Sequence, residues 1–146
     1  METVKLSRET VKRMQALGVG IVYFFGSRAE GTSFPHSDYD IGVVFVEPRK
    51  VAVDGFDLSL KLYDILSRDI PEQLRGPRLD ISLLDKANPA LQIAAVIYGK
   101  SIYQRDPEFR ADYEERVLQQ YDDYRSLKEE YEQATTESFR KPTLSP

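Results

Sequence analysis

Cysteine is missing altogether, and histidine occurs once, as His36, in a chain of 146 residues. Without cysteine there is no disulfide and no thiolate metal site. That fits a reducing compartment and gives the expectation of a cytoplasmic protein. A single histidine argues against His-rich zinc sites and a histidine relay, so metal chemistry must run on carboxylates. No apolar run approaches the roughly 18 residues that cross a bilayer, and no membrane partner is expected. The first residues, METVKLSRETVKRM, contain no apolar core of a secretory signal. Positive charge is not in excess either. Lys and Arg number 20 against 24 acidic residues, a net charge of −4, which weighs against a general nucleic-acid binder; no direct nucleic-acid binding is expected. There is no internal repeat.

What is present is the composition of one globular domain, 41% hydrophobic and 30% charged. Residues 7–17 read as a helix, with Ser7 as N-cap, Val11, Met14 and Leu17 on one face, and Gly18 as the stop. The run VGIVYFF, residues 19–25, reads as a buried strand, and DIGVVFV, residues 40–46, as a second, stopped by Glu47-Pro48. A charged loop follows. Residues 56–67 carry Phe56, Leu60, Tyr63 and Leu66 at helical spacing. Residues 71–77 form a break. RLDISLL, residues 78–84, is a third strand. Asn88-Pro89 opens a helix to Gly99, SIYQ is a short extended piece, and Asp106-Pro107 opens a long helix to about residue 132. Residues 133–146, polar with two prolines, read as a disordered tail. The alternation gives an α/β (α+β) domain, a small mixed sheet flanked by helices.

One stretch carries chemistry: FFGSRAEGTSFPHSDYDIGVVF, residues 24–45. A strand that ends in Gly26-Ser27 and turns into a short helix presents free backbone N–H groups, which suit a phosphate. Taken alone, Gly-Ser after a strand is an ordinary turn. Asp38 and Asp40, two apart at a strand start, point to one face. Side by side they repel when ionised, and a divalent cation such as Mg²⁺ removes that cost. Asp80 lies in another strand between Leu79 and Ile81. If the strands are neighbours, three carboxylates meet at one edge, as two-metal phosphoryl-transfer sites require. Singly, Asp38 reads equally as a turn residue and Asp80 as a solvent-facing charge.

Gly26-Ser27, ten residues, then Asp38-Tyr39-Asp40 resembles the GS-x10-D-x-D signature of the DNA polymerase β-like nucleotidyltransferases. The stretch GSRAEG…SDYDIGVV is similar to their minimal members, the MNT proteins. NPALQIAAVIYGKSIYQRDPEFR is similar to the matching segment of MntA-type antitoxins from HEPN/MNT toxin–antitoxin pairs. The likeness covers roughly residues 19–125. Tyr39 and Gly42 depart from the usual pattern without touching a catalytic position. The resemblance implies a nucleotidyltransferase domain over residues 1–132, with the polymerase β-like fold. It implies ATP as substrate and two Mg²⁺ ions. Asp38, Asp40 and Asp80 would be the catalytic and metal-holding residues, and Gly26 and Ser27 the binders of the β- and γ-phosphates.

Arg28 could contact the triphosphate or be an ordinary surface arginine. Ser37 could bond a phosphate or cap a turn. His36 reads as an ordinary loop histidine. On the last helix, Phe109, Tyr113, Val117, Tyr121 and Tyr124 form a stripe for packing on the sheet or a partner. The resemblance further implies a partner, a HEPN ribonuclease toxin silenced by AMPylation of a tyrosine, and a hetero-oligomer with it. The chain is not that toxin, because no arginine precedes His36 at the R-x4–6-H spacing. Two alternatives stay open: a small-molecule, aminoglycoside-type nucleotidyltransferase, and a non-catalytic antitoxin that acts by binding.

Overall fold

In a computed structural model the chain is described at residues 3–32, 37–70 and 78–144. His36 lies outside the described residues. The strand β1, Val19–Phe25, is buried at all seven positions, as expected for a central strand covered on both faces. It pairs antiparallel with β2, Tyr39–Phe45, on one side and with β4, Lys100–Gln104, on the other. β3, Leu79–Leu83, lies outside β2 and parallel to it, giving the order β3-β2-β1-β4. Parallel neighbours need a crossover. Helix α3, Pro48–Leu66, leads from β2 toward β3.

Helices cover both faces of the sheet. On one face α1, Arg8–Leu17, and α3 pack with Ile41, Val43 and Phe45. On the other, α4, Pro89–Tyr98, and α5, Pro107–Leu144, pack with Ile21, Tyr23, Phe25 and Val44. The capping chemistry read from the sequence is present. The Ser7 hydroxyl accepts from Thr10 N–H at 3.3 Å, and Gly18 closes α1 at φ +88°. Asn88 and Asp106 side chains accept from Leu91 and Phe109 N–H groups at the starts of α4 and α5.

Three expectations need correction. The charged loop after β2 is helical, because Pro48 sits at the first helical position, where a missing N–H costs nothing. The apolar face of α3 is only in part the one the spacing suggested: Leu66 is in the core with Tyr63 packed against it. Phe56 and Leu60 are 79% and 54% exposed, whereas Val51, Leu58, Leu62, Ile65 and Leu66 are buried. Asp54 has non-helical φ/ψ and kinks the helix ahead of these positions; beyond it the buried face runs through Leu58, Leu62 and Ile65, two residues on from the one counted from Phe56. Finally, α5 does not stop near residue 132 but continues to Leu144. Nothing between those points breaks a helix before Pro142. The stripe on α5 packs on the sheet through Tyr113 and Val117, with Phe109 and Tyr121 against the same cluster.

Candidate active site

The opening Gly-Ser turn is built as its sequence suggests. β1 ends at Phe25, Gly26 takes φ +81°, and the short helix α2, Ser27–Glu30, follows at once. That φ lies where only glycine is comfortable. The Gly26 N-cap has no side chain with which to cap α2. The second reason for glycine is space. A Cβ at Gly26 would run into the Asp40 carboxylate, whose Cγ lies 3.0 Å from that point. The turn is therefore pressed against one of the carboxylates.

Strand register brings the acids together. Phe25 is paired with Asp40 across β1 and β2, and Asp40 with Asp80 across β2 and β3. In β2, Asp40 shares a face with Val44, the α4/α5 side of the sheet. Asp40 is half-buried, while Asp38 and Asp80 are exposed. The Asp40 carboxyl is pushed up to about 6, first by burial, then by the Asp80 and Asp38 charges and a hydrogen bond with Asp80. Asp38 is held differently: its Oδ1 accepts from the Arg78 N–H at 3.3 Å. Among the described residues, no three acidic or imidazole side chains are gathered as they stand into a metal cluster. Two of the three carboxylates thus meet, and the third stands at the same strand start.

These residues fit a divalent cation in kind. All are hard oxygen donors, and the Asp40–Asp80 repulsion is what such an ion relieves. Arg28 is already engaged. Its Nε donates to the Ser37 carbonyl at 2.6 Å, and its guanidinium lies 4.5 Å from the centroid of the Tyr39 ring. Arg28, Ser37 and Tyr39 thus form one bracket between α2 and the start of β2. Sequence reading missed Tyr63, which was taken as a packing position. Its hydroxyl accepts from the Ile81 N–H at 3.3 Å, next to Asp80. A spacing pattern carries no signal for that contact, because it depends on how α3 lies over β3.

The polymerase β nucleotidyltransferase family matches residues 9–108, a span that contains the turn and all three carboxylates. The chain belongs to this family. Among solved structures, this nucleotidyltransferase is similar to a toxin–antitoxin complex with AMP-PNP, at 20% identity and TM-score 0.61, covering 88% of this chain and 96% of that one. A mutant of the toxin–antitoxin MntA–HpeT is similar at 18% identity and TM-score 0.63, covering 86% and 94%. A tri-AMPylated HEPN toxin of Shewanella oneidensis in complex with MNT antitoxin matches at 18% identity and TM-score 0.56, covering 86% and 92%. At such identities these likenesses speak for the fold. Comparison with curated protein sequences gave no match.

Proposed function

We propose that this nucleotidyltransferase moves AMP from ATP to a hydroxyl on a partner protein, and that the partner is a HEPN-type toxin silenced by modification of a tyrosine. The observation that carries the reading is the meeting of Asp40 and Asp80 against the Gly26 turn. A phosphate-accepting backbone and a pair of mutually repelling carboxylates share one corner of the sheet. Relatives of this fold whose names include AMP-PNP, an antitoxin and an AMPylated toxin support the nucleotide and the partner.

In this reading Gly26 and Ser27 hold the β- and γ-phosphates, and the N–H groups opening α2 face them. Arg28 and Ser37 stand at the rim of the same turn and keep the start of β2 in place. Asp38, Asp40 and Asp80 would hold two Mg²⁺ ions, which supply charge neutralisation on the phosphates and leaving group. Asp80 takes the proton of the acceptor hydroxyl. The oxygen then bonds to the α-phosphorus in line, the bond to the β-phosphate oxygen breaks, and pyrophosphate leaves. Positioning and charge carry most of the rate.

The test is a cell lysate incubated with ATP labelled at the α-phosphate and Mg²⁺. The expected result is label on a protein, absent when Asp38 and Asp40 are both alanine. Label confined to small hydroxyl compounds such as aminoglycosides would mean a small-molecule transferase. No label, together with a stable unmodified complex, would mean an antitoxin that acts by binding alone.

A further inference from the structure

Tyr39 stands between Asp38 and Asp40 at the start of β2. Successive side chains of a strand point to opposite faces, so whatever holds Tyr39 on one face turns both carboxylates to the other. The Tyr39 side chain packs against the core on the α1/α3 side. Asp40 shares the α4/α5 side with Val44.

Contacts from several elements converge on Tyr39. The Phe24 ring lies 6.2 Å away between centroids. The Arg28 guanidinium covers the Tyr39 ring at 4.5 Å. The Tyr39 N–H donates to the Arg78 carbonyl at 2.7 Å, which ties the start of β2 to the strand that carries Asp80. Arg28 has a second hold, because its Nε donates to the carbonyl of Ser37, the residue before Asp38, at 2.6 Å. Arg28 works from a fixed base, since its neighbour Ala29 is buried in the same core. Such a hold is needed here. The ladder with β1 ends at the Phe25–Asp40 pair, so Asp38 and Tyr39 extend past the central strand. Asp40 also feels the like charges of Asp38 and Asp80.

We propose that Tyr39 is a positioning residue for the metal-holding carboxylates: Arg28 clamps its ring on one face of the sheet, and this sets Asp38 and Asp40 side by side on the other. The inference rests on the transferase reading for the ions that these carboxylates hold. A planar guanidinium can lie on the ring and still give its Nε–H to the Ser37 carbonyl, whereas a lysine ammonium cannot do both. A leucine at position 39 would keep the apolar packing but offer no ring face to a cation.

The experiment uses the full chain without ATP or partner. Mn²⁺ uptake is read from the electron paramagnetic resonance of the free ion, and AMP-PNP binding is titrated alongside without metal. Arg28→Lys and Tyr39→Leu should each raise the half-saturating Mn²⁺ concentration about fivefold, the scale of one half-buried cation–π contact. The double variant should be little weaker than either single one, because both remove the same contact. Leu62→Ala lowers stability without touching the clamp and should leave Mn²⁺ uptake within about twofold of wild type. Without metal, Arg28→Lys should speed hydrogen exchange at the Tyr39 amide and leave that of Val43, in mid-strand, unchanged. Wild type that takes up no Mn²⁺ would overturn the metal site and this proposal with it. Uptake by wild type with both single variants unchanged would overturn the proposal alone. So would an effect of Arg28→Lys on AMP-PNP only, or equal exchange at the Tyr39 amide in wild type and Arg28→Lys.

Discussion

Replacing Asp40 by asparagine should make the metal-free protein more stable at pH 8, although it removes a group at the centre of the proposed site. The Asp40 carboxyl has an ordinary value of 3.8 and stands at about 6 in the folded chain. The native state therefore binds its proton more tightly than the unfolded chain does. Stability from this group is fully present below about pH 3.8 and is lost as pH rises through about 6. Two pH units at about 1.4 kcal/mol each set an upper figure of ~3 kcal/mol. Asp40 is half-buried beside two exposed acids, and screening by water reduces this to about 1–2 kcal/mol. Asparagine keeps the shape and has no charge to desolvate. The assay is urea unfolding by circular dichroism in EDTA, at pH 4 and pH 8, for wild type and Asp40→Asn. The variant should gain about 1–2 kcal/mol at pH 8 and little at pH 4. No gain at pH 8, or an equal gain at both, would refute the electrostatic account of the Asp40–Asp80 pair.

Four further outcomes follow from named contacts. Mg²⁺ at millimolar concentration should raise the melting temperature of wild type at pH 8 more than that of Asp40→Asn, read by thermal shift. Gly26→Ala should cost about 1–2 kcal/mol from its positive φ alone, and the cost should shrink in an Asp40→Ala background, measured as a double-mutant cycle. Leu62→Ala on the buried face of α3 should cost about 2–5 kcal/mol, while Phe56→Ser on its exposed face should stay within about 0.5 kcal/mol; denaturant midpoints separate the two. Tyr63→Phe should cost about 1 kcal/mol by orphaning the Ile81 N–H and speed hydrogen exchange at that amide.

The fold was legible where one signal governed one element. β1 could be read from an unbroken apolar run, and α1, α4 and α5 from cap residues that make local bonds. The turn at Gly26-Ser27 was legible because only glycine accepts that φ and that closeness to Asp40. The placement of Asp80 depended on an unproven neighbour relation, and the parallel β2–β3 register now supplies it. α3 was misread in part because residues 56–66 carry apolar side chains on two stripes, and spacing alone does not say that Leu58 and Leu62, and not Phe56 and Leu60, face the sheet. The extension of α5 to Leu144 was missed because a polar composition was taken for disorder, although no residue before Pro142 breaks a helix. The Arg28–Ser37–Tyr39 bracket and the Tyr63 contact were not legible at all. Each arises from elements meeting in space, and no local pattern encodes it.

The most direct test of the central claim is the intact mass of a candidate partner after incubation with this chain, ATP and Mg²⁺. The partner to use is any small helical protein that is found encoded beside this one and carries the R-x4–6-H motif. The account predicts that each transfer adds about 329 Da, the mass of one AMP residue in the reaction proposed, with wild type. Asp80→Ala should bind the same partner and add nothing. An unmodified partner with wild type, or full modification by the Asp80→Ala variant, would contradict it.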